Sequence, residues 1–505
     1  MNPSQIELLL KIFKILTQSG LIALFIFIPF EQADAMYLLS IGAFFVGVTG
    51  QSFIKTPQIS KIIALKRTIF VLVLGLILFF VLRPLTPIKE QAVKIYGQFS
   101  VFEAIFYFLK TPVLLVFSFF LVLEDFKMSG AQEKDLTQSK LLIALLTAFF
   151  ILVTLSCFSS LAPNISFKQF WKEMGLYIWL TLAVWKEILS FKEIRKIIFI
   201  CAIISIVVGI IGTADILLYK FGSETTKESL VKNEWIRVQD SARGYTHIQY
   251  PFRHHNRMAS FCMMGTIICL MQILFTKPGL KRTFISLFSF FPFIALILTL
   301  CRGSIIAFII SYVFFISLRK PKRLFILPIL LVVIFLLLPQ KIKERYTSIF
   351  NPTTYTTQDG SFYFRVLAWK SAIKIITDHP ILGVGYSYQV FEKIYGFYSQ
   401  GDTERKSHSH NNFLEIAIET GIFNLFIFLI FLFNLFIGLA KRLKQKMRLE
   451  EVSNLAIGML TFILGVVIFG LTNYSFRYSI GAFIFLWFGL ILSFLKITEE
   501  SLPKV

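Results

Sequence analysis

Charge is scarce in this 505-residue chain: Asp, Glu, Lys and Arg make up 16% of it, against 56% hydrophobic residues and a mean hydropathy of +0.72. That excludes a soluble globule, which needs a charged surface. Acidic residues are the scarcer sign, 29 against 51 basic, for a formal charge of +22. The basic residues fall in short clusters between apolar runs and not on one soluble face, so they indicate membrane orientation and exclude a nucleic-acid partner. Cysteine is also rare. Cys157, Cys201, Cys262, Cys269 and Cys301 lie in or at the ends of apolar segments without paired spacing, which excludes a zinc site and a disulfide framework among them. His254 and His255 are adjacent rather than four apart, and no acidic pair stands beside them at ligand spacing. Neither a glycine-rich phosphate loop nor an aspartate-x-aspartate pair is present, so metal-independent chemistry without a cofactor is expected.

What the chain has in quantity is apolar runs of spanning length. They fall near 12–30, 36–54, 68–82, 101–123, 141–161, 173–185, 197–218, 258–276, 283–300, 302–318, 324–339, 412–439, 453–472 and 478–496. A helix crosses about 30 Å of hydrocarbon with roughly 17–25 such residues. The pattern predicts an all-α polytopic membrane protein with about 12–14 transmembrane helices, the short run 173–185 being either a span or a re-entrant piece. Pro292 and Cys301-Arg302-Gly303-Ser304 mark a turn inside the long run 283–318. The first apolar segment lacks a small-residue cleavage site and is expected to be a retained span.

Short Lys- and Arg-rich loops face the cytoplasm. Those at Lys55 to Arg67, Lys186 to Lys196, Lys277 to Arg282, Arg319 to Arg323 and Lys441 to Arg448 all fall on one side of a fourteen-span count, with both termini on that side. The segments 219–257 and 340–411 then lie outside. Four regions follow: an N-terminal transmembrane bundle (1–218), a transmembrane region with the first outer loop and arginine sites (219–339), the large outer loop (340–411) and the C-terminal transmembrane helices (412–505). Inside the large loop, Ser361 to Ile376 predicts an amphipathic helix with Val366, Trp369, Ile373 and Ile376 on one side, stopped by Asp378-His379-Pro380. The acidic-basic stretch Glu124 to Lys140 and the two chain ends are the candidates for disorder.

The polar residues of the outer segments converge on Ser407-His408-Ser409-His410-Asn411-Asn412, at the mouth of the apolar run that continues to Ala440. The positive end of a helix and nearby arginines disfavour protonated imidazole, so His410 is expected to be neutral, the form a general base needs. His408 is the rival base, with Glu415 and Glu419 as carboxylate alternatives. Asn411 or Asn412 would cap the helix, and its first N–H groups would meet a phosphate oxygen. Arg302, at a membrane-depth helix end, is either an interface anchor or a site residue. The same choice applies to Arg365 and to the crowd of Arg237, Arg243, Arg253, His254, His255, Asn256 and Arg257. Guanidinium forks bind phosphate bidentately, so arginines converging from separate loops would hold a diphosphate and stabilise it as a leaving group.

These motifs resemble those of the bacterial O-antigen ligase family, whose members share the C-terminal domain of the O-antigen polymerases. The resemblance rests on His410-Asn411, nine residues, Gly421, Ile422-Phe423 and Asn424, the last position departing from the family's Gly, Thr or Tyr. It rests also on Arg365 to Trp369, Pro380 to Gly385, Arg302-Gly303, Arg243-Gly244 and Asn256 to Ala259, across roughly residues 230–480. It implies a multi-pass protein of the bacterial inner membrane with a large helical periplasmic loop, its site facing the periplasm and both termini cytoplasmic. It implies an undecaprenyl-diphosphate-linked glycan as donor and a lipid A–core sugar or other glycan as acceptor, with membrane lipids around the bundle. His410 would be the catalytic base, and Arg365, Arg302 and Arg243 would act on the diphosphate. Arg253, Arg257, His408, Asn411, Asn412 and Trp369 would bind substrate. A polymerase or a protein O-glycan ligase of the same superfamily shares these motifs; a transporter of lipid-linked glycans would use the arginines without reaction.

Overall fold

A computed structural model describes residues 3–28, 34–82, 113–128, 136–239, 245–319, 361–399, 408–444 and 450–497, together with Gln340, Lys343 and Thr347. The chain is an all-α polytopic membrane protein: nine helical stretches among the described residues are long and apolar enough to cross a membrane. The expected span at 324–339 and the Arg243-Gly244 pair lie outside the described residues.

The first half holds α1 (Pro3–Phe27), α2 (Asp34–Lys55), α3 (Gln58–Leu82), α4 (Val113–Met128), α5 (Leu136–Ser159), α6 (Pro163–Lys172), α7 (Met174–Glu187), α8 (Phe191–Phe221) and α9 (Glu224–Lys232). A short antiparallel hairpin follows, β1 (Ile236–Gln239) with β2 (Tyr245–Ile248), in a register that pairs Arg237 with His247. Then come α10 (His255–Phe275), α11 (Leu280–Phe288), α12 (Phe290–Leu298), α13 (Arg302–Ser317), α14 (Ser361–Asp378) and α15 (Tyr388–Tyr398). The last are α16 (Asn412–Thr420), α17 (Ile422–Lys444), α18 (Glu450–Gly470) and α19 (Tyr478–Lys496).

Local chemistry sets the helix limits. α8 starts at a capping box, Ser190 Oγ accepting from Glu193 N at 3.3 Å while Glu193 Oε2 accepts from Ser190 N at 3.1 Å. α19 is apolar on every side and is accordingly the central helix, with 94% of its spanning window buried. α7 lies along it, where Thr181 Oγ1 donates to Phe485 O at 2.7 Å and Trp179 and Trp185 are fully buried. One continuous apolar core runs from Leu21 to Ile497.

At one end of the bundle α14, α15 and α16 pack on the turn before α6, around Ala162, Ala368, Ala372, Ile375, Phe391, Ile394 and Ile418. The helix expected over 361–376 is present, but its buried stripe is Ala368, Ala372 and Ile375, while Ile373 is 55% exposed. Small side chains let α14 approach its neighbours closely, and bulk at Ile373 turns outward. The run 412–439 is likewise two helices and not one. Gly421 breaks it at φ 88, where a Cβ would stand 2.0 Å from Ile381 O. The freed backbone bonds elsewhere: Val384 N to Ile418 O at 2.8 Å, Gly385 N to Glu419 O at 3.1 Å and Ile422 N to Pro380 O at 2.8 Å. The stretch beginning at Glu124 also differs from expectation. Glu124 and Asp125 are buried at the end of α4 and paired with Arg67 and Lys186.

Candidate active site

The stretch from His408 to Asn412 is fixed from several sides. Asn411 is the N-cap of α16, its Oδ1 accepting from Phe413 N at 2.9 Å and Leu414 N at 3.1 Å while its Nδ2 donates to Leu471 O at 3.1 Å. Ser409 donates from N (2.8 Å) and Oγ (2.6 Å) to Glu415 Oε2 one turn into the helix. Trp369 Nε1 donates to Ser409 O at 2.9 Å, so α14 holds the strand between the two histidines. Asn412 is fully buried and tied twice to Ser475, through Nδ2 to Oγ at 2.9 Å and Oδ1 from N at 2.7 Å. Within this frame His410 takes a left-handed backbone at φ 55, a conformation that costs an L residue energy and persists only where surrounding contacts impose it. The His408 and His410 rings lie 4.2 Å apart.

Both histidines line a cavity of about 240 Å³ at this end of the bundle. α10 contributes Arg257 and Ser260, with His254 and Asn256 at its mouth. α18 and the turn after it contribute Phe469, Asn473, Tyr474 and Ser475, and α19 contributes Tyr478 and Ile480, with Arg477 at its N-cap. Tyr388 of α15 completes the wall. His254 is the N-cap of α10, its Nδ1 accepting from Asn256 N at 3.1 Å, and its ring stacks on His255 at 4.5 Å. The Arg257 guanidinium carbon lies 3.5 Å from the Tyr478 ring centroid, a cation–π contact.

The field in the cavity is positive. Burial first, then Arg477, His254, Arg257 and Arg365, bring His408 from its ordinary value down to about 3. Burial pushes Glu415 up, against hydrogen bonds from Ser409 and the pull of Arg477. It pushes Glu419 up too, again against Arg477. Neither carboxylate lines the cavity: Glu415 Oε2 holds Ser409, and Glu419 accepts from Tyr474 Oη at 3.2 Å and pairs with Arg477.

Of the residues singled out in the sequence, the structure brings His254, Asn256, Arg257, His408 and His410 onto one cavity, with Arg365 near enough to act on His408. Arg302 opens α13, and its neighbour Gly303 is packed so that a Cβ would stand 2.6 Å from Thr472 Oγ1 and 2.9 Å from the amide of Asn473, a lining residue. Asn411, Asn412 and Trp369 build the frame. Arg253 is exposed and does not line the cavity. Arg477, Tyr474, Tyr388 and Glu173 are site residues that sequence reasoning missed. A signal for Arg477 existed: it is the one basic residue between the apolar runs ending at 472 and starting at 478, as conspicuous as Arg302.

The fold and the cavity define a class, a polytopic helical membrane protein with a cationic, histidine-lined cavity at one end of its bundle. Residues 287–429 match a family model described as O-antigen ligase; the chain carries that domain, which O-antigen ligases and polymerases share. Its members are glycosyltransferase-like ligases and polymerases acting on lipid-linked glycans. The matched segment holds Arg302, Arg365, Trp369, His408, His410 and the break at Gly421, whereas Arg257 and Arg477 lie outside it. Among curated proteins nothing matches the chain.

Proposed function

We propose that the protein is an O-antigen ligase. It moves a glycan from undecaprenyl diphosphate to a sugar hydroxyl of lipid A–core at the periplasmic face of the bacterial inner membrane. His410 takes the proton of the acceptor hydroxyl as its oxygen bonds to the anomeric carbon; the carbon–oxygen bond to the diphosphate breaks, and undecaprenyl diphosphate leaves. Attack opposite the leaving group inverts the anomeric configuration. Arg257, Arg302, Arg365 and Arg243 supply the positive charge that receives the diphosphate, so that no metal is required.

The observation that carries this reading is the His410 backbone, held left-handed by contacts from α14 and from the turn after α18 beside a cationic cavity. Strain kept at a cavity wall is a mark of function. His408 is a poor base, since burial and the surrounding cations bring it to about 3, where it binds a proton loosely.

The test is lipopolysaccharide from a deletion strain complemented with wild type or His410→Ala. A ligase predicts bare core and accumulated long lipid-linked chains in the deletion, repaired by wild type alone. Single-repeat caps would identify a polymerase instead, and full repair by His410→Ala would remove the base. Orientation is tested by labelling a cysteine placed at the exposed Lys393 of α15, which should react from the periplasm. Labelling from the cytoplasm would overturn it.

A further inference from the structure

Arg477 lines the cavity and on position would be counted with the diphosphate-binding arginines. Its contacts point elsewhere. It is 3% exposed and lies between Glu173, in the α6–α7 turn, and Glu419, near the end of α16. Nη1 meets Glu173 Oε2 at 2.9 Å and Nη2 meets Glu419 Oε1. The Tyr386, Tyr474 and Tyr388 rings surround its guanidinium carbon at 4.9, 5.0 and 5.5 Å. Tyr474 and Tyr386 in turn donate to Glu419 and Glu173 at 3.2 and 3.4 Å. Both terminal nitrogens thus donate to carboxylates, and the buried Nε has no hydrogen-bond partner among the described residues. An anion placed here would meet the two carboxylates that already hold the guanidinium, so the site does not favour phosphate.

The same contacts lead to the histidines. Glu419 and Glu415 stand one turn apart on α16; Arg477 holds the first, and the second holds Ser409 between His408 and His410. The far end of the short helix is thereby pinned to α19 and to the α6–α7 turn, and its near end to the histidine stretch. The break at Gly421 interrupts the helix between α16 and α17, and these anchors hold α16 together with the bonds from Val384 and Gly385.

We propose that Arg477 is a positioning residue: it acts through Glu419 to hold α16 so that His410 faces the cavity, and it takes no part in diphosphate binding. This rests on the assignment of His410 as the base. Nothing in the family match assigns Arg477, which lies beyond its last residue, 429.

The test uses the full-length protein in detergent–phospholipid micelles, with undecaprenyl diphosphate as binding probe and transfer from a lipid-linked glycan to lipid A–core as activity. Arg477→Gln is expected to leave the Kd for undecaprenyl diphosphate and the donor KM within about twofold while kcat falls about 100-fold, the effect of a displaced catalytic group. A tenfold loss of undecaprenyl diphosphate affinity, or an unchanged kcat, overturns the proposal. Because Arg477→Gln leaves two carboxylates buried without their cation, Arg477→Lys decides the question if that variant does not fold. It retains the charge without the fork, and reduced kcat at unchanged Kd is expected, whereas weakened binding overturns the idea. The double variant Arg477→Met with Glu419→Gln removes both charges together and should be no slower than Arg477→Gln, because the two residues act as one unit. Multiplied losses would mean independent roles. Failure of the base assignment looks different: full transfer by His410→Ala, with the undecaprenyl diphosphate comparison untouched.

Discussion

Two helix mouths in the cavity carry histidines, and they are built by opposite means. At α10, His254 caps its own helix with an extended backbone at φ −156, and a regular helix of 21 residues follows. At α16, Asn411 does the capping, His410 before it is forced left-handed, and the helix ends after nine residues at a glycine break. The first mouth satisfies itself locally. The second is held by Glu415 on its own helix and by contacts from Trp369, Leu471, Ser475 and, by way of Glu419, Arg477. A structural histidine is one the helix itself needs; the other kind is held where the chain alone would not put it.

The largest effects should fall on the strained mouth. His410→Ala is expected to lower glycan transfer at least about a thousandfold, within the range for loss of a general base. His254→Asn, which keeps a good cap, should cost less than about tenfold. Equal losses measured in the same micelle assay would erase the contrast. Next comes Gly421→Ala, which puts a Cβ 2.0 Å from Ile381 O at φ 88. It should destabilise by several kcal/mol or leave little folded protein, on the order expected for strain at a special backbone position. Wild-type thermal stability in that variant would show that the break is not needed.

The fold was largely legible because membrane spans announce themselves by length. The described spans fall on the apolar runs, and the turn expected at Cys301-Arg302-Gly303-Ser304 lies at Thr299 to Cys301, just before Arg302 opens α13. Helix faces and breaks were less legible. Alanine and serine carry no strong hydrophobic signal, so the Ala368–Ala372–Ile375 stripe was hidden behind Ile373, and Gly421 at the head of a long apolar run gave no hint of the bonds from 380–385 that make its break possible. In the site, residues near the histidines in sequence were found and those brought by other helices were not. Arg477 and Glu173 stand 304 positions apart, and only folding shows that they are partners.

Smaller effects sharpen the comparison. Arg302→Ala and Arg365→Ala should each lower kcat/KM by about ten- to a hundredfold, with partial rescue by Lys if bidentate contact matters. Complete rescue at both positions would mean charge alone suffices. Trp369→Phe removes the donor to Ser409 O but keeps the ring in α14. The loss of one hydrogen bond, roughly 1 kcal/mol, should slow transfer up to about tenfold without changing undecaprenyl diphosphate affinity. An unchanged rate would show that Glu415 alone fixes the stretch.

The finest test concerns the second histidine of the strained mouth and its response to pH. His408 is brought from near 6.5 to about 3 in the folded protein, so between those values the unfolded chain binds a proton that the folded one refuses. Stability therefore rises with pH across this window, by about 1.4 kcal/mol per unit; the contribution is present above 6.5 and is lost as pH falls toward 3. Glu415 and Glu419, whose values are raised, act in the opposite direction, but both remain in a His408→Gln variant and cancel in the difference. Thermal unfolding of wild type and His408→Gln in the same micelles should thus show a gap that shifts against the wild type by about 2 kcal/mol between pH 7.5 and pH 5. A gap independent of pH would mean that His408 titrates normally. Neither burial nor the cationic field would then act on His408, and the strained mouth would differ from the relaxed one in backbone alone.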